Sequence, residues 1–212
     1  MKNISIQRLL GRGLLGVDIG QDAVRVVELA LRRGHLSCRH CGAAELAPGI
    51  MLEGNVEDLQ GLASTLRLAC SNSGSACIRV ALAMPATALI THAIRLPAGL
   101  PEEQLEILVE IEAAQYMPFA LEDASLDFFT LGPAPSVSGK AGEVDVLLVA
   151  ARRASVQRRL DAATEAGLSA VVMDSEALAM QAGIAQGGWH TLPDGGAAYR
   201  LAWGLALHQF IR

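Results

Sequence analysis

Residues 14 to 31, LLGVDIGQDAVRVVELAL, hold the chain to one local geometry. Two apolar stretches flank a Gly-Gln-Asp step, and two strands joined by a tight turn bury both of them. Along the second stretch Val24, Val26 and Glu28 face one way and Arg25, Val27 and Leu29 the other, so both faces are at least half buried. A third strand at about His35 to Leu46 completes an antiparallel meander, and a meander with an apolar face needs a covering layer. Val56, Leu59, Leu62, Ala63, Leu66 and Ala69 recur at helical spacing and supply it, with Asn55 ahead of Glu57 and Asp58 as the expected cap. The loop SNSGSA then leads into IRVALAMP, a short apolar strand that Pro85 stops.

A different unit begins there. Residues 87–97 read as a strand, and Pro101 opens a helix at its favoured first position, running through EEQLEILVEIEAAQYM to Pro118. Leu105, Leu108, Val109, Glu112 and Tyr116 share one side of it. Five glutamates with no basic residue between Glu102 and Glu112 make the other sides negative, the pattern of a solvated surface. Residues 125–131 and 143–151 follow as strands around an exposed hairpin loop, GPAPSVSGKAG. Beyond Arg152 come a helix over 153–166 ending at Gly167, the strand SAVVMD and a helix from Ser175 to about Ala185. A glycine-rich break, AQGGWHTLPDGG, precedes YRLAWGLALHQFIR, apolar on nearly all sides and so an interior helix. The order describes a mixed α/β (α+β) chain in two parts.

Charge and composition exclude whole classes. A net charge of −5 without a basic block argues against nucleic acid, because phosphate binding needs clustered Lys and Arg. Asp18, Glu28 and Asp145 interrupt the most apolar stretches, so no run approaches the roughly 20 residues of a membrane helix. The opening MKNISIQRLLGRGLLG lacks a clean signal-peptide pattern, and secretion is not expected. Ile4, Ile6, Leu9 and Leu10, with Lys2, Arg8 and Arg12, are compatible with a membrane-surface contact or with a frayed terminus. Cys38 and Cys41 have a zinc-knuckle spacing, with His35 and His40 close by. On a strand, residues three apart point to opposite faces, which makes buried thiols the expectation for them and for Cys70 and Cys77.

Chemistry gathers at two places. In Gly16-Val17-Asp18-Ile19-Gly20 the Asp18 carboxylate would stand free at a strand end to hold a magnesium ion through water, and Gly20 would let the turn backbone approach a phosphate; the same residues also suit an ordinary hairpin turn. Asp174 and Glu176 lie at a strand-to-helix junction. There Asp174 or Ser175 either caps the helix, or Asp174 reaches the cleft of Asp18 and orders a metal-bound water. The five histidines, His35, His40, His92, His190 and His208, show neither a nucleophile elbow nor a metal spacing.

Four segments together carry a resemblance: LLGVDIGQDAVRVVEL; LEGNVEDLQGL; IRLPAGLPEEQLEILVEIEAAQYMPFALEDASLDFFTLGP; and VDVLLVAARRASVQRRLDAATEAGLSAVVMDSEALA. They resemble PilM proteins of type IV pilus assembly over most of residues 14–180, the long central run being the most family-specific. PilM proteins are similar to the cell-division protein FtsA. The resemblance therefore implies an actin-like, ribonuclease-H-like first subdomain over 1–84 and 152–212, and an inserted small α+β module over 85–151. It places Asp18, Gly20 and Gln21 on the first phosphate-contacting turn and Arg25 where relatives often carry Lys. Asp174 and Glu176 fall beside the ATP cleft, with magnesium at Asp18. It also implies a cytoplasmic protein that binds the short tail of the inner-membrane protein PilN, is peripheral to that membrane through its partner, and serves pilus function such as twitching motility.

The sequence departs from that pattern after Ala185. The second Asp-x-Gly turn and the adenosine-contacting glycines of the family do not follow, and the last helix is joined directly by the loop at 186–198. One wall of the cleft is then absent, so ATP and magnesium are expected to bind weakly or not at all and ATPase activity to be negligible. The surface that would dock a second half is expected to be apolar and to favour self-association. The competing reading is an ATP-binding switch or ATPase that completes its cleft by oligomerising. A platform component of type II secretion, whose fold is similar, is the remaining alternative.

Overall fold

The structure, a computed structural model, describes residues 13–134 and 142–210. The N-terminal stretch read above as a membrane contact, Lys2 to Arg12, lies outside the described residues. The chain divides into two compact units, one of residues up to Thr87 together with Gln157 onward, the other Ala88–Val156.

The first unit is built on a five-stranded sheet. Strands β1 (Leu15–Ile19), β2 (Ala23–Arg32) and β3 (His35–Glu45) form the meander; β6 (Arg79–Met84) joins β1 in parallel, and β10 (Ser169–Ser175) joins β6 in parallel. The spatial order is β10-β6-β1-β2-β3. Both faces are covered, as the hairpin's two apolar faces demand. On one, Leu15, Val17, Val24, Val26 and Leu82 meet Leu62, Leu66 and Ala69 of α1 (Leu59–Ser73) and Ala162 and Ala163 of α3 (Arg153–Glu165). On the other, Val27 and Leu29 meet Ala202, Trp203 and Ala206 of α5 (Arg200–Ala206), while Ala81 and Ala83 meet Ala179 of α4 (Glu176–Gln186) and Leu201 and Leu205 of α5.

α5 is seated through glycine. A Cβ on Gly16 would stand 1.9 Å from the Ala202 carbonyl oxygen and 2.5 Å from the Ala206 nitrogen, and one on Gly204 would stand 1.8 Å from the Ala179 carbonyl oxygen. Strand β1 and helices α4 and α5 therefore touch backbone to backbone, a spacing no larger residue permits.

Two local readings are corrected. Asn55 does not cap α1; it lies in β5 (Asn55–Val56), which pairs with β4 (Met51–Leu52). Glu53 and Gly54 between them take φ of 49° and 80°, the left-handed pair that closes a two-residue hairpin. The cap is Asp58, whose Oδ1 accepts the Gly61 N–H at 3.0 Å. Asp58→Ala is expected to cost about 1 kcal/mol in a denaturation curve. Asn55→Ala should sit within about 0.5 kcal/mol of wild type, and the reverse ranking would restore Asn55 as the cap.

Cys38 and Cys41, expected on opposite faces, both pack toward the Trp203 cluster. The register slips between Glu28 and Leu29, so Cys38 pairs with Leu29 and Cys41 with Val27, leaving Arg39 as the extra residue of a bulge. Arg39 turns instead to Glu28, at 3.3 Å. Burial, with Cys41 beside it, pushes the Cys38 thiol up to about 12, and burial pushes Cys70 up to about 11. Both are protonated, poorly nucleophilic thiols at neutral pH.

The second unit is a three-stranded antiparallel sheet, order β7-β9-β8, from β7 (Leu89–Pro97), β8 (Ala124–Pro133) and β9 (Glu143–Arg152). Helix α2 (Glu102–Ala113) packs Val109 and Ala113 against Ile94, Leu96, Val146, Leu148 and Ala150. Pro101 stands one position earlier than expected, as the N-cap, with ψ at 151°. His92 stacks on Tyr116 with ring centroids 4.3 Å apart.

Candidate functional site

The parallel strands β1, β6 and β10 end on the same side of the sheet, where folds of this kind gather ligands. A cavity of about 830 Å³ opens there in the first unit. Its walls are the end of β1 with its turn (Asp18, Gly20, Gln21), the β4–β5 hairpin (Glu53, Gly54), Thr87, Arg159 of α3, and Glu176 at the start of α4. The glycine at 20 suits this turn: its N–H donates to the Ala23 carbonyl at 3.0 Å, and a Cβ would stand 3.0 Å from that oxygen.

Asp18 is 9% exposed and faces Arg25 across the β1–β2 ladder. Burial raises its pKa to about 7; Arg25 opposes the rise, while Glu176 and Asp22 add to it. Burial raises Glu176 as well, with Arg159 opposing.

Arg159 is the unexpected member. It is 2% exposed, and its Nη2 donates to the Gly54 carbonyl, while Nε and Nη1 have no partner. Burial lowers its pKa and the Glu176 carboxyl opposes that. Helix α3 explains the burial: Arg159, Ala162 and Ala163 are its buried residues, so the arginine stands on the helix's inward stripe. The i, i+3, i+4 spacing in RRLDAA is the one signal the sequence offers for it, and spacing alone does not tell which face of the helix is buried.

Of the six positions that the resemblance assigns to a cofactor, Asp18, Gly20, Gln21 and Glu176 surround one cavity. Arg25 binds Asp22 at 3.1 Å and lines a separate depression with Gln21 and Glu45. The Asp174 carboxylate is not among the cavity walls. Its Oδ2 meets His208 Nε2 at 2.7 Å and its Oδ1 accepts the Ser175 N–H at 2.6 Å, so it ties β10 to the turn after α5.

This donor set suits magnesium with a phosphoryl group better than a closed metal site. Among the described residues no three His, Cys, Asp or Glu side chains converge as a ligand set. Magnesium characteristically takes one or two carboxylates, keeps waters and shares the phosphate's oxygens. Asp18 and Glu176 would hold the cation, and the unpartnered edge of Arg159 is a donor of the kind an anion satisfies.

Comparison with known proteins finds one matching family model and several similar solved structures. The family model described as type IV pilus assembly protein PilM matches residues 16–210. A chain of the PilM-PilN type IV pilus biogenesis complex superposes with a TM-score of 0.71 and 29% identity, covering 81% of this chain and 49% of its own. The cytoplasmic domain of EpsL, an inner-membrane component of the type II secretion system of Vibrio cholerae, superposes with a TM-score of 0.50 and 15% identity, covering 79% of this chain and 58% of its own. A Bacteroides thetaiotaomicron protein with an actin-like ATPase fold and unknown function gives a TM-score of 0.39 and 12% identity, covering 87% of this chain and 60% of its own. The chain thus spans about half the length of the PilM-PilN complex chain it matches.

Proposed function

The chain belongs to the PilM family of type IV pilus assembly proteins, and from that premise we propose that it is an adaptor that holds the short cytoplasmic tail of a PilN-like inner-membrane protein. The likeness to a chain of the PilM-PilN complex, over 81% of the present chain, carries this reading. Among the described residues no helix is long and apolar enough to cross a membrane, so in this reading attachment to the membrane's cytoplasmic face comes through the partner. Ile184 and Leu178 of α4, both exposed, support self-association as a further part of it.

The cavity at Asp18 takes nucleotide weakly in this proposal, and hydrolysis is negligible. Its walls all come from one unit, and a cleft without a second wall excludes less water from a bound ligand and so strengthens its electrostatic contacts less. The tail is therefore held without help from ATP. The test is fluorescence anisotropy of a labelled peptide copied from the cytoplasmic end of the PilN encoded beside this protein. Saturable binding is expected, with Asp18→Ala within about three-fold of wild type, a difference below 1 kcal/mol. Absent binding would remove the adaptor reading. Binding lost in a well-folded Asp18→Ala protein, or micromolar ATP affinity by calorimetry, would turn it into a nucleotide switch.

A further inference from the structure

A guanidinium buried with two of its three nitrogens unbonded is an expensive arrangement, because each buried unpaired donor forfeits its hydration without return. Arg159 is so placed, at the wall of a cavity whose other charged walls, Asp18, Glu53 and Glu176, are all acidic. Glu176 influences it electrostatically, but among the described residues the two form no ion pair within 4.0 Å. The two halves of the problem have one solution. A lone anion would be repelled by the carboxylates and a lone cation would leave Arg159 unsatisfied. A phosphoryl group that carries a divalent cation answers both.

We infer that Arg159 is the anion anchor of this cavity, binding the phosphoryl oxygens of a magnesium-bearing phosphate while Asp18 and Glu176 face the metal. This rests on reading Asp18 and Glu176 as a metal-phosphate cleft, and adds to it a residue outside the phosphate-contacting turn. The shared chemistry is a magnesium polyphosphate, which a nucleotide or an inorganic polyphosphate can supply. Arg159 projects from α3, so the contact needs neither a base nor a sugar. Lysine at this position would keep the charge and lose the planar fork that fits two phosphate oxygens at once.

The experiment titrates magnesium tripolyphosphate, and separately magnesium ATP, while following phosphorus-31 line positions of the ligand. Wild type, Arg159→Met, Arg159→Lys and Asp18→Ala are compared, each first shown by a melt to be folded. Methionine fills the same space without orphan donors, so that variant is expected to fold; the lysine variant serves if it does not. Both ligands should bind wild type with dissociation constants below about 10 mM, and Arg159→Met should weaken each by about ten-fold or more. Arg159→Lys should fall between. Unchanged binding in a folded Arg159→Met protein overturns the inference, and so does silence from both ligands with wild type. If Arg159→Met leaves binding intact and Asp18→Ala removes it, the cleft stands and the anchor falls. Arg159→Met should still capture the PilN peptide, so failure of the adaptor reading would show separately, as absent capture by wild type.

Discussion

Gly16→Val is expected to destabilise the protein by about 3 kcal/mol or more, lowering its melting temperature by roughly 6–12 °C. The argument is geometric. A first side-chain carbon at residue 16 would stand 1.9 Å from the Ala202 carbonyl oxygen, well inside contact distance, and the obstructing atoms are backbone. No rotamer change relieves it; α5 must lift from β1, taking fully buried Trp203 and Leu205 with it. Gly142→Ala is the control, since its nearest neighbour would be 3.6 Å away, an ordinary contact. A Gly16→Val protein that melts with wild type would mean that β1 and α5 do not pack backbone to backbone.

Asp18→Asn is expected to stabilise the protein at pH 8 and to do little near pH 4. The Asp18 carboxyl has its folded-state pKa raised from 3.8 to about 7 by burial. Between those values the folded chain holds a proton that the unfolded chain has released, so stability falls as pH rises across the window. Below it both states are neutral and nothing is lost; above it the folded state carries a buried charge, at a cost of up to about 4 kcal/mol. Asparagine does not ionise, and melts from pH 4 to pH 8 should diverge by about 8–16 °C at the alkaline end. Magnesium at saturating concentration should narrow that gap, because a cation beside Asp18 favours its charged form. Parallel curves at all pH values would remove the buried charge from the account.

How much of this could be read beforehand depended on how local each cause was. The meander, both helical layers and the strand-helix-strand-strand unit follow from periodicity punctuated by Gly and Pro, and the mixed α/β class was legible for that reason, while its actin-like character came only from the resemblance to PilM proteins. The short β4–β5 hairpin was missed because two-residue strands leave no periodicity; the clue was Glu53-Gly54, a turn pair. With the hairpin in place Asn55 is used in a strand, and capping passes to Asp58. The bulge at Arg39 follows from a partner register that sequence alternation does not encode. Around the cavity, Asp18, Gly20 and Glu176 were found by motif and position. Arg159 was not, because its burial is decided by what α3 packs against.

The seating of α5 also bears on the order in which the chain acquires its structure. Leu14 and Gln209 are hydrogen-bonded across 195 residues, whereas the second unit is one uninterrupted stretch, Ala88–Val156. On a ribosome that stretch can close while later residues are still being made, but Val27 and Leu29 have no cover until α5 emerges. For that interval the nascent meander presents a bare greasy face, and chaperone demand should be concentrated there.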